Sequence, residues 1–435
     1  MSRRHSTLVT VFLAALAVGA TAAGQQPRVS NGRVSTQAAG SPFAQSFRTL
    51  VGAQSEVAWI GYSVPTIPGE RGLCGSDDSG GGRNTSGGRA CCGGERLEPS
   101  ASAGNRSATV SPATGPIKLE GPQHVMVLYR IENKAVERIR VLPEDCELDA
   151  GGRPFVWLEG VSPADSVALL EGYATADAAS GRRVADGAVT AIALTGDPAA
   201  DATLERLVAP TQPEFVRRKV TFWLGNSRGA RGLAVLQRVL RDDPSFEVRK
   251  SAVFGVSQSR EANAFEVLSA LARTDPEPRI RSEAVFWLSQ KGDSGAAAVI
   301  TQALEKDPSP EVRKKAVFAL SQLRNDAGVE ALIGVARDSS DAAVRSEAIF
   351  WLGQKAGAKA ARAITDRIDN DPNTEVKKRA VFALSQMPKD DGIPLLINVA
   401  RTNSNPEVRK QAIFWLGQSK DARALAFFEE VLTRK

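Results

Sequence analysis

A period of 32 residues runs through the second half of this 435-residue chain. An aliphatic residue recurs at that spacing and is followed each time by a basic residue. These aliphatic residues, called position zero below, are Val216, Val248, Ile280, Val312, Val344, Val376 and Val408. A fixed period of this length is typical of stacked helical hairpins, which bury their apolar faces only against neighbouring hairpins. The sequence therefore predicts seven repeats from about residue 213, and a weaker copy at Val184 predicts a degenerate capping repeat.

Each repeat also marks where its first helix begins and which face is buried. Good N-cap residues stand three positions before position zero, at Ser245, Ser309, Asp341, Asn373 and Asn405. Positions 4, 5 and 8 are apolar, as in Ala316, Val317 and Leu320. At 100° per residue they share one face with position zero. The predicted fold is mainly α, a solenoid of helical hairpins over residues 161–435.

The repeat pattern resembles a known family. Asp307-Pro308, Val312-Arg313, Ala316 and Ala319-Leu320 are similar to the HEAT-like repeats named after phycobilisome lyases, over roughly residues 184–435. The resemblance implies that the Val-Arg helix lines the concave side and that its Arg pairs with an Asp near the Asp-Pro turn. The implied structural ladder uses Arg249, Arg281, Arg313, Arg345 and Arg409 with Asp243, Asp275, Asp307 and Asp371. Ser339 and Asn403 break the pattern, so we expect the ladder to be interrupted there.

The opposite face of the first helix repeats aromatic and amide residues. Position 6 is always Phe: Phe222, Phe254, Phe286, Phe318, Phe350, Phe382 and Phe414. Position 10 is Asn226 and then Gln258, Gln290, Gln322, Gln354, Gln386 and Gln418. At position 7, Trp223, Trp287, Trp351 and Trp415 alternate with Gly255, Ala319 and Ala383. Positions 2 and 3 alternate likewise, Ser282-Glu283 and Ser346-Glu347 against Lys314-Lys315 and Lys378-Arg379. The underlying unit is therefore a 64-residue pair.

Two interpretations of this face are open. In the first, the Phe residues, the glutamines and the four basic residues form a ladder along a concave groove of roughly 65 Å, because adjacent helices lie about 9–10 Å apart. Aromatic rings and amides suit a peptide, a partner helix or a glycan chain. In the second, the rings fill the gaps between repeats, with each Trp set against a Gly or Ala one repeat away. The Trp residues are assigned a structural role, and a mixture of both interpretations is expected.

The N-terminal half has a different character. Residues 1–24 have a basic start, a short apolar run and Ala-rich cleavage sites, which is typical of a secretory signal peptide. Residues 25–160 are predicted to form a small β-rich domain, with strands near 57–64, 124–130, 136–142 and 155–158 in an antiparallel sheet and a turn at Asn133-Lys134. A Gly/Ser-rich segment at about 75–115 is predicted to be a disordered loop. Ser162-Pro163 looks like the start of a helix.

Export would place the four cysteines in an oxidising compartment. Cys74, Cys91, Cys92 and Cys146 are disulfide candidates, with Cys74 and Cys146 each paired with one of the neighbouring two. Zinc binding is disfavoured because no C-x2-C pair exists and His124 is the only nearby histidine. The expected location is periplasmic or extracellular.

Charge and histidine content limit the function. Net charge is +6, with +8 in residues 211–435 and −2 before them. His5 and His124 are the only histidines, and neither lies in a repeat, which removes the di-iron chemistry of the related deoxyhypusine hydroxylases. We expect no catalytic residue, metal, cofactor, nucleic-acid partner or membrane span in the mature chain. The prediction is a non-enzymatic protein-binding scaffold of the cell envelope, with a glycan- or lipid-binding groove and a lyase-like enzyme as alternatives.

Overall fold

The structure is a computed structural model that describes residues 26–68, 95–98, 123–176, 182–292, 294–324, 326–355 and 357–433. Contacts divide the chain into two compact units, residues 1–169 with 195–197 and residues 170–194 with 198–435. The predicted signal peptide lies outside the described residues. So do Cys74, Cys91 and Cys92, so the disulfide pairing stays a prediction, and so does most of the Gly/Ser-rich segment.

The first unit is built on a five-stranded sheet and a small three-stranded sheet. Its elements are β1 (Arg28–Ser30), β2 (Arg33–Ala38), α1 (Phe43–Gly52), β3 (Ala58–Pro65), β4 (Glu95–Arg96), β5 (His124–Glu132), β6 (Ala135–Pro143), β7 (Glu147–Asp149) and β8 (Pro154–Glu159). The large sheet has the order β2-β8-β3-β5-β6, and the small one β1-β7-β4. The four strands predicted from sequence are present. Asn133 and Lys134 both have positive φ, 52° and 60°, in the tight turn between β5 and β6.

Three features of this unit differ from the sequence-based expectation. The large sheet is mixed rather than antiparallel, because β8 pairs in parallel with both β2 and β3. Residues 25–55, which show no periodicity, contain β1, β2 and α1. α1 buries Phe43 and Phe47 against Tyr62 and Tyr129, whose hydroxyls lie 2.7 Å apart. The unit boundary also lies at residue 169 rather than 160, since Ser166 bonds to Tyr62 at 2.8 Å.

The second unit is helical. Its helices are α2 (Pro163–Thr175, which begins in the first unit), α3 (Arg182–Leu194), α4 (Pro198–Leu207), α5 (Glu214–Ser227), α6 (Gly229–Asp242), α7 (Phe246–Gln258), α8 (Ala264–Thr274), α9 (Pro278–Lys291), α10 (Ala296–Lys306), α11 (Pro310–Gln322), α12 (Asp326–Asp338), α13 (Ala342–Gly353), α14 (Ala358–Asn370), α15 (Thr374–Gln386), α16 (Lys389–Thr402), α17 (Pro406–Gln418) and α18 (Ala422–Thr433). Odd-numbered helices from α5 onward carry position zero, and the even-numbered helices pack behind them. This is the predicted α-solenoid of helical hairpins.

The helix starts follow the predicted capping residues. Ser245, Asp341, Asn373 and Asn405 each accept a hydrogen bond from a backbone N–H of the first turn. Ser309 makes no such side-chain bond. The position-zero residues of the described repeats are almost all fully buried, with Val312 and Ile280 at 0% exposure. None of the described helices is long and apolar enough to cross a bilayer.

A candidate binding groove on the helical unit

Arginine–aspartate pairs join several of the repeats to the next one. Arg281 donates two hydrogen bonds to the carboxylate of Asp307, at 2.7 and 2.9 Å. Arg345 does the same to Asp371, at 2.8 and 3.0 Å. The pairs Arg217–Asp243 and Arg249–Asp275 continue the series in the earlier repeats, the second more loosely at 3.8 Å. Arg217, Arg281 and Arg345 also donate to carbonyl oxygens of the turn before their own helix, as Arg281 does to Asp275 at 2.9 Å. Each of these three arginines therefore ties two consecutive turns together.

The ladder is interrupted where the sequence lacks the aspartate. Arg313 has Ser339 in the corresponding turn and donates only to the carbonyls of Asp307 and Pro308, at 3.0 and 3.3 Å. At the other break, Asn403 stands in the turn that corresponds to Lys377, and Lys377 donates instead to the carbonyl of Asp369 at 2.7 Å. Both basic residues thus keep a carbonyl contact before their own helix and lack only the carboxylate.

The Arg281–Asp307 and Arg345–Asp371 pairs are ionic. Burial by itself would raise the pKa of Asp307, but the hydrogen bonds from Arg281 and the Ser309 N–H outweigh it and lower the pKa below its usual value. Asp371 has a lowered pKa for the same reasons, with Arg345 as its main partner. The hydrogen bonds to the two carboxylates raise the pKa of both arginines. Both pairs therefore remain charged at neutral pH and link consecutive repeats.

The Phe and Trp side chains form one continuous row of rings, which we call the aromatic row. Its eleven members, in order of contact, are Trp223, Phe222, Phe254, Trp287, Phe286, Phe318, Trp351, Phe350, Phe382, Trp415 and Phe414. Within a 64-residue pair the two Phe rings stack, with centroids 5.9 to 6.3 Å apart and planes within 20° of parallel. Between pairs a Trp inserts, 4.7 to 5.2 Å from the preceding Phe. The row therefore has the 64-residue period of the sequence.

Small residues explain why the spacing of the helices alternates. A Cβ on Gly225 would lie 1.9 Å from the carbonyl oxygen of Gly255, so α5 and α7 touch backbone to backbone. Ala319 and Ala383 are fully buried at the equivalent contacts of the later pairs. The first helices consequently pack closely within each pair and less closely between pairs, where the Trp inserts. They also pack more closely than the even-numbered helices do, which places the aromatic row on the inner side of the curve.

The aromatic row is neither wholly buried nor wholly free. Six of the Phe residues and all four Trp residues are half-buried, and Phe414 is 52% exposed. Ring edges are therefore available on the groove side while ring faces pack on each other. The indole N–H groups of Trp223 and Trp415 are buried without a hydrogen-bond partner among the described residues. This is the expected mixture of packing and exposure.

The amides at position 10 are tethered to their own helix. In four repeats the Gln side chain donates to the neighbouring Ser, as Gln322 does to Ser321 at 3.0 Å. That Ser hydroxyl donates in turn to the carbonyl of the Phe three residues earlier. The exposed amides are those of Gln290, Gln322, Gln354, Gln386 and Gln418, and Gln258 is half-buried. Their oxygen atoms remain available as acceptors.

Cations lie over two of the Phe stacks. The ammonium of Lys315 is 4.6 Å from the centroid of Phe286 and 5.4 Å from that of Phe318. The guanidinium of Arg379 is placed in the same way over the next pair, at 4.8 and 5.1 Å. Lys314, which precedes Lys315, is exposed, whereas Lys378 forms an ion pair with Glu375 at 3.0 Å. The cations therefore border the aromatic row.

The middle of the groove holds a depression of about 540 Å³ between α7, α9, α11 and α13. Its lining includes Ser282, Glu283, Lys315, Glu347 and Trp351. The hydroxyl of Ser282 is buried without a partner among the described residues. No cluster of three His, Cys, Asp or Glu side chains that could hold a metal occurs in the described part of the chain. The site is thus a mixed surface of aromatic edges, paired and unpaired charges, and one unsatisfied hydroxyl.

Comparison with known proteins identifies the repeat. A family model described as HEAT repeats matches residues 265–353 and 361–435. No curated protein matches the sequence. Similar solved structures include human deoxyhypusine hydroxylase (18% identity, 62% of this chain and 97% of that one, TM-score 0.26). They also include the CpcE–CpcF complex of phycocyanin lyase from Nostoc sp. PCC7120 (19%, 60% and 95%, TM-score 0.27) and yeast importin-beta Kap95p (13%, 58% and 40%, TM-score 0.36).

These structural likenesses are too weak to say anything about activity. The family match is different in kind, because it falls on the repeats whose arginine–aspartate ladder and aromatic row are described above. The repeats within residues 265–353 and 361–435 are HEAT repeats, and the helical unit that contains them has the fold of a HEAT-type α-solenoid.

Proposed function

We propose that the groove binds a polypeptide partner and that the chain acts as a non-enzymatic interaction scaffold. The observation that carries this proposal is the aromatic row, eleven rings in continuous contact that keep their edges exposed along the inner helices. Rings that were needed only to fill the space between repeats would have no reason to remain half-exposed at every repeat. Exposed aromatic surface in a concave site favours binding, because large rigid rings bury much apolar area at small entropic cost.

The polar groups beside the rings favour a polypeptide over a purely apolar ligand. The row is bordered by amide side chains with free acceptor oxygens and by charges of both signs, as at Gln322, Lys315 and Glu347. A polypeptide supplies backbone donors and acceptors together with side chains of either charge. HEAT solenoids have extended inner surfaces of this kind because each repeat adds one helix to the same row.

A pair of substitutions with a matched control tests this function. We expect Phe318→Ala combined with Trp351→Ala to abolish enrichment of binders from a displayed random-peptide library. The control is Phe265→Ala, which removes a half-buried Phe from α8 in the outer row of helices. Equal enrichment by the wild-type protein and the groove variant would refute the proposal. Binding to insoluble polysaccharide or lipid vesicles that is lost in the groove variant, without peptide binding, would instead support the glycan or lipid alternative.

The non-enzymatic part of the proposal is supported by residue content. The two histidines of the chain, His5 and His124, lie outside the repeats, so the groove has no histidine base. A lyase-like activity is the enzymatic alternative, and bilin transfer to an acceptor protein by the purified chain would demonstrate it.

We also propose that the protein is exported, to a periplasmic or extracellular location. The support is the sequence of residues 1–24, with its basic start and short apolar run. N-terminal sequencing of the protein from a secretion-competent bacterial host would show a new terminus near residue 24. An intact Met1 in the folded product would refute export by cleavage.

A further inference from the structure

Three charged side chains stand at the same position of consecutive repeats along the groove. Lys315, Glu347 and Arg379 are each the third residue after position zero, on α11, α13 and α15. They alternate in sign. None of them forms an ion pair with any residue that the structure describes, not even with one another. One repeat separates each from the next, about 8–10 Å from helix to helix.

These three charges are held in place by groups of the aromatic row rather than by counter-ions. Lys315 and Arg379 lie over Phe stacks, as described above. Glu347 accepts a hydrogen bond from the indole N–H of Trp351 at 3.0 Å. By contrast, Glu283, one repeat earlier, is paired with Lys250 at 3.3 Å. The charges from Lys315 onward are therefore positioned but not neutralised, which leaves them available to a ligand.

A buried hydroxyl in the same depression gives an independent indication of a ligand. Ser282 is 7% exposed, its Oγ has no hydrogen-bond partner among the described residues, and it lines the depression with Lys315 and Glu347. A buried hydroxyl without a partner is costly, and a ligand oxygen would satisfy it. An α-helical ligand would not do so readily, since its backbone groups bond internally. A polyproline II segment has no internal hydrogen bonds and presents free carbonyls.

We propose that the groove binds an extended, polyproline II-type segment that presents acidic, basic and acidic side chains at every third residue. This inference rests on the proposed function of the groove. Three residues of polyproline II span about 9.3 Å and return a side chain to the same face. That distance matches the spacing of neighbouring helices, about 8–10 Å. The acidic side chains then meet Lys315 and Arg379, the basic one meets Glu347, and a backbone carbonyl accepts from Ser282.

The test uses fluorescence anisotropy with three labelled synthetic peptides at low salt. The matched peptide is Glu-Pro-Pro-Lys-Pro-Pro-Glu. The permuted peptide, Lys-Pro-Pro-Glu-Pro-Pro-Glu, has the same composition in the wrong order, and the third is Glu-Pro-Pro-Glu-Pro-Pro-Glu. We expect the full-length protein to bind the matched peptide about fivefold more tightly than the permuted one, as suits a few exposed ionic contacts. This preference should shrink as salt is added.

Substitution of the central charge should change the preference predictably. Glu347→Gln keeps an acceptor for Trp351 but removes the charge, so the matched and permuted peptides should bind within about twofold of each other. Glu347→Lys should reverse the order, so that the all-glutamate peptide binds best. Ser282 lies on α9, one repeat before Lys315, so only a matched peptide with three further prolines before its first glutamate reaches it. Ser282→Ala should weaken that longer peptide about fivefold without lowering the stability of the protein, because the hydroxyl has no partner to lose among the described residues.

The outcomes separate this inference from the function on which it rests. If the three peptides bind equally, or none binds, the charge register is wrong. The same holds if the substitutions at Glu347 leave their order unchanged. If peptide binding of any kind persists in the variant that combines Phe318→Ala with Trp351→Ala, the groove itself is not the binding site, and the proposed function fails.

Discussion

Removing the Arg281 guanidinium from the ladder should expose how much the buried ion pairs contribute to stability. Arg281 donates two hydrogen bonds to Asp307, and the side chains are only 9% and 4% exposed. Arg281→Ala therefore leaves a carboxylate that is buried and unpaired. Breaking such a pair by removing one partner costs about 3–5 kcal/mol of unfolding free energy.

The next repeat provides a matched control. Arg313 occupies the same position and donates to two carbonyls of the preceding turn, as Arg281 does, but it has Ser339 where Arg281 has a carboxylate partner. Arg313→Ala should therefore cost only about 1 kcal/mol, the value of ordinary hydrogen bonds. The difference between the two variants isolates the ion pair. Arg345→Ala, which breaks the pair with Asp371, should behave like Arg281→Ala.

Urea titration followed by far-UV circular dichroism measures the difference. A repeat array need not unfold in a single step, so amide hydrogen exchange in α9 and α10 should accompany the titration. We expect faster exchange around Arg281→Ala and near-native exchange around Arg313→Ala. Equal losses of stability in the two variants would refute the reasoning, because the carboxylate would then contribute nothing.

Three further predictions concern packing, pH and exposure. Gly225→Ala should destabilise the protein by at least about 1–3 kcal/mol, because the new Cβ would meet the carbonyl of Gly255. Gly334→Ala has open space around the new Cβ and should stabilise α12 by up to about 1 kcal/mol. Thermal unfolding would show both effects, and equal effects would contradict the packing argument. Asp307 and Asp371 have lowered pKa values in the folded protein, so the stability that they contribute is complete above the unfolded-state pKa of about 3.9 and is lost as the pH falls further. The urea midpoints of the wild-type protein and of Asp307→Asn should therefore converge below about pH 4. A gap that stays constant with pH would contradict this. Acrylamide should quench the four indoles of the aromatic row and spare the two buried indoles of the sheet, and complete shielding of all six would contradict the exposed groove edge.

Local sequence information was sufficient for the solenoid and for much of its site. The 32-residue spacing places Val248 and Ile280 on equivalent helices, because a repeat can bury its apolar face only against the next repeat. The resemblance to HEAT-like repeats also implied the arginine–aspartate ladder and its interruption at Ser339, both of which are present. Asn133 and Lys134 were recognisable as a turn because they separate two runs of strand-forming residues.

Other features depend on contacts between residues distant in the chain. Every residue of β2 is exposed, so it has no alternation of apolar and polar residues that would reveal a strand. β2 exists because it pairs in parallel with β8, more than a hundred residues later. Neither the mixed sheet nor the boundary at residue 169 has a local signal, since parallel neighbours and the Tyr62–Ser166 contact form only after the chain has folded.

The sequence by itself therefore determined the period, the fold class of the helical unit and which residues share its inner face. Tertiary structure alone decided how far the rings are exposed, because the depth of each ring depends on the spacing of two helices. It also decided which charges are paired. Glu283 and Glu347 occupy the same position two repeats apart, yet of the two only Glu283 has a lysine within 4 Å in the described part of the chain, Lys250 at 3.3 Å. That difference leaves Glu347 without an ion pair among the described residues, and the sequence pattern alone does not reveal it.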